Sequence, residues 1–231
     1  MSIADKLALA QEICGHEFTD VQLLRSAITH PSAVEGEPVS ASYERLEFLG
    51  DSILGSIVAL SLFKTYGAFD EGKLTRLKVS LVSGATLSEV GLELGIDKII
   101  ILGASEQGTG ARGMHSALEN VYEALIGALY LDGGFQAAHD FIHRFVLSDL
   151  ENKILFYDSK TVLQEMIQTM PEAEFVYALT GEEGPDHDKE FLVDAVLNNK
   201  VIGKGKGRTK KAAEQEAAYQ ALLMLKNQQR G

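Results

Sequence analysis

Apolar residues recur at intervals of three and four over residues 5–14, 44–64, 73–94 and 114–131. That spacing stacks side chains along one side of an α-helix, so these four windows predict helices. Gly67, Gly72, Gly95 and the Gly133-Gly134 pair punctuate them, and up to about residue 150 the pattern is helical nearly throughout. Beyond residue 156 the texture changes. Residues 160–169 read as a short helix, whereas 174–180 and 190–197 alternate as strands do, with a polar turn over 181–188. Val201-Ile202 starts a third strand, ending in Gly203-Lys-Gly-Lys-Gly as a glycine-rich turn. A helix follows over 209–225, with Ala213, Ala217, Ala221, Leu222 and Leu225 on one stripe. The expected fold is α+β overall: an all-α unit over 1–153, then a small αβββα unit over 158–227.

An apolar fraction of 45% is ample for packed cores. No uninterrupted apolar run reaches the roughly 18 residues of a membrane span, and the N-terminus lacks the long apolar stretch of a signal peptide. Cys14 is the single cysteine, which leaves no disulfide framework and no thiolate metal cluster. These features point to a cytoplasmic protein without a membrane partner. Residues 103–113 are glycine-rich but lack the Gly-Lys-Ser/Thr ending of a phosphate-binding loop, and read as a connector.

The net charge of −12 argues at first against a polyanionic partner. Its distribution changes that picture. Residues 1–155 carry 11 Lys/Arg against 21 Asp/Glu, and residues 156–231 carry 10 against 12. Within the second part Lys200, Lys204, Lys206, Arg208, Lys210 and Lys211 follow one another with no acid between them. Lys210 and Lys211 fall in the first turn of a predicted helix. Cations oppose the helix dipole there, whereas an anion is favoured by it. A helix built for stability alone would carry Asp or Glu at those positions, so the cations imply a phosphate partner.

With the αβββα order, residues 158–226 closely resemble the double-stranded RNA-binding domain, which reads A-form shape through phosphates and 2′-hydroxyls. The resemblance implies that Lys206, Arg208, Lys210 and Lys211 belong to the RNA-binding set, Lys210 and Lys211 facing phosphates across the major groove. It places Gln164 and Glu165 on the first helix, and Pro185 to His187 in the turn, at successive minor grooves.

The acidic part holds a different chemistry. Glu44, Glu47 and Asp51 stand at helical spacing at the head of an otherwise apolar run, and Asn120 and Glu123 sit one turn apart in a second one. Stacked carboxylates repel one another, and burial raises their pKa values further. Either water solvates that face or a cation stands before it. Magnesium prefers oxygen ligands offered by carboxylates from separate elements. His30, His115, His139 and His143 show no spacing for an acid–base pair. His139-Asp140 reads as a surface or capping pair, and Thr29-His30-Pro31 as the end of a helix.

Glu44-Arg-Leu-Glu-Phe-Leu-Gly-Asp-Ser-Ile-Leu, then Glu123-Ala-Leu-Ile-Gly-Ala, then the RNA-binding unit, together resemble bacterial ribonuclease III over nearly the whole chain. That resemblance implies a homodimeric, Mg²⁺-dependent endonuclease cutting both strands of double-stranded RNA. Its products would carry 5′-phosphate and 3′-hydroxyl ends, and its substrates would be ribosomal, transfer and messenger RNA precursors. It makes Glu47, Asp51, Asn120 and Glu123 the metal positions, with Asp51 and Glu123 the essential pair. Glu44 and Glu71 become acids near the RNA, and Phe48 the aromatic that inserts into the partner subunit. Asn120 departs from the pattern, since the family usually has Asp there. The departure keeps a second reading open, a non-cleaving double-stranded RNA-binding protein with a lapsed metal site. A nucleotide phosphohydrolase is a third reading, but it leaves the basic tail unexplained.

Overall fold

The computed structural model describes residues 1–103, 111–185 and 189–228. His187 and most of the glycine-rich connector lie outside the described residues. The chain divides into two compact units, Met1–Ser148 and Asp149–Gly231. The division falls earlier than the 153/158 boundary read from the sequence, because the helix of the second unit runs unbroken from Leu150.

The first unit is helical, as its periodicity predicts. It contains α1 (Ile3–Cys14), α2 (Val21–Ala27), α3 (Glu44–Thr65), α4 (Glu71–Leu81), α5 (Gly84–Glu93), α6 (Ile96–Ile99) and α7 (Ala111–Phe145). Three details differ from the sequence pattern. The window 73–94 is two helices, because the Ser83 hydroxyl accepts from the Thr86 N–H and caps a new helix there. The window 114–131 is part of one long element that breaks its helical dihedrals at Gly134, where φ is 74°. α2 is new: its seven residues are too short to show a period, and the Asp20 carboxylate caps it. It ends at Ala27 with Ile28 as its cap, and Thr29 closes that end as the sequence reading expects, its N–H donating to the Ser26 carbonyl and its hydroxyl to the Arg25 carbonyl. Thr29 also bridges Ile101, and the His30 ring caps a short 3₁₀ turn over Pro31–Ala33.

α7 is the axis of this unit. Val121 to Leu129 are all buried, and every residue in that run except Glu123 is apolar or glycine. A helix covered on all sides is a core helix. α3 packs along it and buries Leu46, Leu54, Ile57, Val58 and Leu62. By length and composition alone α3 could cross a membrane. Its three carboxylates and its buried inner face identify it as a core helix of the folded unit.

The second unit contains α8 (Leu150–Gln168), β1 (Phe175–Glu183), β2 (Glu190–Leu197), β3 (Lys200–Gly207) and α9 (Lys210–Gln228). The strands form an antiparallel sheet in the order β1-β2-β3. Asn198 and Asn199, both left-handed at φ 47° and 62°, make the two-residue turn between β2 and β3. The Gly203–Gly207 stretch, read from the sequence as a turn, belongs to β3. A Cβ at Gly203 would overlap the α9 backbone at Ala217, and one at Gly205 the backbone at Ala213. The glycines let α9 settle directly onto the strand, while Lys204 and Lys206 alternate outward to solvent. The core beneath is Leu163, Ile167, Val193, Ala195, Ile202 and the alanine stripe Ala213, Ala217, Ala218 and Ala221.

Candidate active site and nucleic-acid interface

α3 and α7 touch backbone to backbone. A Cβ at Gly50 would overlap the Glu123 carbonyl, and one at Gly127 would overlap the Leu46 carbonyl. Only glycine at both positions allows the approach. Its consequence is chemical, because Glu47 and Asp51 flank Gly50 on α3 while Glu123 lies one turn before Gly127 on α7. The crossing brings acids from separate helices into one electrostatic neighbourhood.

Glu123 is 8% exposed, the single charged residue in the buried run of α7. Its carboxylate has no hydrogen-bond or ion-pair partner among the described residues. Burial pushes its pKa up to about 8, reinforced by the charges of Asp51, Glu119 and Glu47. Glu47 is also raised, by burial first and then by Glu44, Glu119 and Asp51. Asp132, further along α7, makes an instructive contrast. It accepts from the Thr19 N–H at 3.0 Å and the Asp20 N–H at 2.8 Å, and lies 2.8 Å from the His16 ring. Those hydrogen bonds, the Asp20 N–H foremost, hold its pKa below the usual carboxylate range. Asp132 is a satisfied structural acid; Glu123 is not.

The structure thus gathers Glu47, Asp51 and Glu123 from the sequence-predicted set, and adds Glu119, which sequence reasoning missed. The signal was present, since Glu119 stands four residues before Glu123. The Glu119 carboxylate rests against Gly84 at the first turn of α5. Asn120 is engaged elsewhere, its side-chain amide donating to the Tyr43 hydroxyl at 3.3 Å, just before α3 begins. Glu44 is exposed and its carboxylate accepts from the Ser42 hydroxyl at 3.1 Å. Glu71 is not drawn in; it accepts from Thr75 Oγ1 at 2.8 Å within the first turns of α4. As they stand, no three acids or histidines among the described residues lie at the spacing of a metal site. Among the described residues no histidine pairs with Glu47, Asp51, Glu119 or Glu123. His115 Nδ1 pairs with the Ser88 hydroxyl at 3.0 Å, and His139 stacks on His143 at 4.1 Å while contacting Asp140.

Phe48 is 77% exposed on α3, between two half-buried neighbours. It borders a groove of about 680 Å³ with Leu23, Val39, Leu46, Leu49 and Leu131 in its walls. Leu131 and Val39 are themselves more than half exposed. A large apolar side chain left in solvent beside an apolar groove marks an interaction surface.

In the second unit, Gln164 and Glu165 are exposed on α8 while Leu163 and Ile167 point into the core. Lys210 and Lys211 are exposed in the first turn of α9. The Lys210 ammonium lies 5.8 Å from the Phe191 ring. That contact puts the start of α9 beside the start of β2. Arg208 is exposed just before α9. Lys206 differs: it projects from β3 into carboxylates, 2.7 Å from Glu190 and 3.2 Å from Glu183. These bonds, with Glu190 the larger, raise its pKa and occupy its charge.

Comparison with known proteins agrees with this division. The Ribonuclease-III-like family model matches residues 20–150, and the double-stranded RNA binding motif matches residues 159–225. Ribonuclease 3 of Shouchella clausii (strain KSM-K16) is 42% identical over 215 residues, which cover 91% of this chain and 83% of that protein. Ribonuclease 3 of Carboxydothermus hydrogenoformans is 40% identical over 229 residues, 97% of each chain. A crystal structure of the nuclease domain of ribonuclease III from Campylobacter jejuni, 32% identical, covers 64% of this chain and 97% of its own at a TM-score of 0.56. A second structure of that domain, described as flexible in a region involved in dimer formation, matches at 0.55 with the same identity, over 60% of this chain and 94% of its own. With two domain matches in the observed order and relatives aligned over most of their length, the chain belongs to the ribonuclease III family.

Proposed function

We propose that the protein is a Mg²⁺-dependent endoribonuclease that cuts both strands of double-stranded RNA, leaving 5′-phosphate and 3′-hydroxyl ends. Family membership and the RNA-binding motif specify a double-stranded-RNA endoribonuclease. One observation carries the chemistry: Glu123, nine-tenths buried and without a partner among the described residues, held beside Asp51 and Glu47 by the Gly50–Gly127 crossing. A buried, uncompensated carboxylate among like charges is costly. A cation would offset that cost. The donor set is oxygen only, which suits a hard divalent ion rather than zinc.

Glu47, Asp51 and Glu123 are the carboxylates that would hold the ion, with the Asn120 position beside them. When bound, a divalent cation supplies an electrophile for the scissile phosphate and stabilises charge developing on oxygen. The chain's own part is to bind and orient. α3 and α7 fix the acids: Glu123 is buried and Glu47 half-buried, which strengthens electrostatic interactions there, while Asp51 is exposed. The exposed cations of α9, Lys210 and Lys211, with Arg208 before them, receive backbone phosphates. Gln164, Glu165 and the Pro185 turn approach the minor grooves.

Cutting two strands calls for two centres, and a two-fold dimer supplies them. An isologous pairing that seats each Phe48 in the other subunit's groove would cover the apolar surface beside α3. The Campylobacter jejuni nuclease domain, whose described region of flexibility is one of dimer formation, supports this reading. Cytoplasmic processing of ribosomal, transfer and messenger RNA precursors is the corresponding role.

The test is incubation with duplex RNA and Mg²⁺, followed by analysis of the product ends on both strands. Phosphate at the 5′ ends and hydroxyl at the 3′ ends are expected. Tight duplex binding without cleavage would favour the second reading, a non-cleaving RNA-binding protein, which Asn120 motivates. Sedimentation showing an active monomer would remove the dimer.

A further inference from the structure

Asn120 cannot supply charge to the acidic centre, and its amide is engaged with Tyr43. The preceding residue can. Helical geometry sets residues about 100° apart, so Glu119 lies about 40° from Glu123 in azimuth at four residues' separation. Asn120, three residues away, lies about 60° off. Glu119 therefore shares the Glu123 face of α7 at least as closely as Asn120 does. Like charges at this four-residue spacing repel, and nothing in the helix itself calls for the pair. The flexible Glu119 side chain rests on Gly84, whose missing Cβ leaves room for its carboxylate. That position is the first turn of α5, where backbone N–H groups and the helix dipole favour a negative charge.

We propose that Glu119 supplies the carboxylate that Asn120 does not, so that Glu47, Asp51, Glu119 and Glu123 together hold the divalent cation. Asn120 becomes a positioning residue, fastening α7 to Tyr43 at the entrance of α3. This assignment rests on the metal-dependent reading above. It explains how the chain departs from the family pattern without losing a negative charge: the acid is moved back one residue, on a longer side chain.

The test is Mn²⁺ binding to the full chain by calorimetry, with melting temperatures recorded for each variant. Even groups beside a metal's ligands typically change affinity by about 10–100-fold when removed. Glu119→Gln is expected to weaken Mn²⁺ binding by at least about tenfold on that scale, and Glu123→Gln by at least as much. Moving the acid forward to its usual place, in Glu119→Gln/Asn120→Asp, should restore most of the affinity. Unchanged Mn²⁺ affinity in Glu119→Gln, with Glu123→Gln defective, would overturn the assignment and leave the metal-dependent reading standing. So would a Glu119→Gln protein that only melts lower, since that is a structural role at α5. A double variant as weak as Glu119→Gln would also overturn it. No saturable Mn²⁺ binding by the unsubstituted chain would overturn both readings together.

Discussion

The two units use the same packing device for opposite electrostatic ends. In the nuclease unit, Gly50 and Gly127 let two helices meet at their backbones, and acids are carried into a mostly buried crossing. In the RNA-binding unit, Gly203 and Gly205 let α9 meet β3 just as closely, but the cations that flank the contact stay in water. Exposure makes the difference. The lysines of α9 await a phosphate at little cost, because water solvates them meanwhile. Glu123 and Glu47 have been partly stripped of water and have no compensating cation among the described residues, so the site is poised in a way the basic surface is not. Lys206 shows what the basic side looks like once neutralised, with two carboxylates already on its ammonium.

The largest expected effect lies at the buried end of this contrast. Glu123→Gln keeps the side-chain volume and removes the charge. It should lower cleavage of duplex RNA by a thousandfold or more, about 4 kcal/mol of barrier, with duplex binding nearly unchanged. Cleavage kinetics beside an electrophoretic binding assay read both quantities, and retained cleavage would move the active centre elsewhere. Next comes the crossing itself. Gly50→Ala drives a methyl into the Glu123 carbonyl, and overpacking of this kind typically costs about 1–3 kcal/mol. Gly67→Ala is the control, because nothing lies within 4 Å of a Cβ there. Urea denaturation should show a loss above about 2 kcal/mol for the first and a change within about 1 kcal/mol for the second. Equal stabilities would mean the helices can part without penalty.

At the exposed end, the effect is smaller and depends on salt. Replacing both Lys210 and Lys211 with Ala should weaken duplex binding and reduce the salt slope by about 1.8, taking about 0.9 per phosphate contact as measured for duplex DNA. Lys206→Ala should change the slope much less, since Glu183 and Glu190 already hold that charge. If Lys206→Ala matches the loss from α9, its ion pairs open on binding, and the contrast between occupied and waiting cations fails.

Much of this is legible in the sequence because period and charge are local properties. The long helices of the first unit and the αβββα order of the second show as spacing and alternation, whereas Asp51 and Glu123 are paired by the resemblance of their motifs. What escapes is set by contacts between distant segments. Gly203-Lys-Gly-Lys-Gly reads as a turn by composition, yet its alternation is that of a strand whose glycines face a helix. The break at Ser83 depends on one cap inside an otherwise continuous apolar pattern. Lys206 groups with the phosphate-facing cations by sequence because its partners, Glu183 and Glu190, belong to other strands. Glu119 stays hidden because a motif fixes attention on Asn120 and Glu123, whereas the shared electrostatic field follows from the α3–α7 crossing.

The smallest effect is a pH dependence, and it separates burial from mere crowding. Folding raises the Glu123 pKa from an ordinary 4.5 to about 8. Between those values the folded protein keeps a proton that the unfolded chain has released. The folded state therefore binds more protons, and stability must fall as pH rises through this window, by at most about 1.4 kcal/mol per pH unit for one group. Glu47 is raised too and adds in the same direction. Asp132, lowered by its hydrogen bonds, acts only at acid pH below this range. Going from pH 5.5 to 7.5 without divalent ions, Glu123 should cost on the order of 1 kcal/mol, or about 2–4 °C in melting temperature. Other groups also titrate, so the informative quantity is the difference between the chain and Glu123→Gln, which cannot lose that proton. The variant should gain on the unsubstituted protein as pH rises. Added Mg²⁺ at pH 7.5 should close the gap, because a cation bound to the carboxylates stabilises the folded state alone. Melting curves that run parallel at every pH would mean water already solvates Glu123 as freely as Asp51, and the distinction between the buried acids and the exposed lysines would lose its physical basis.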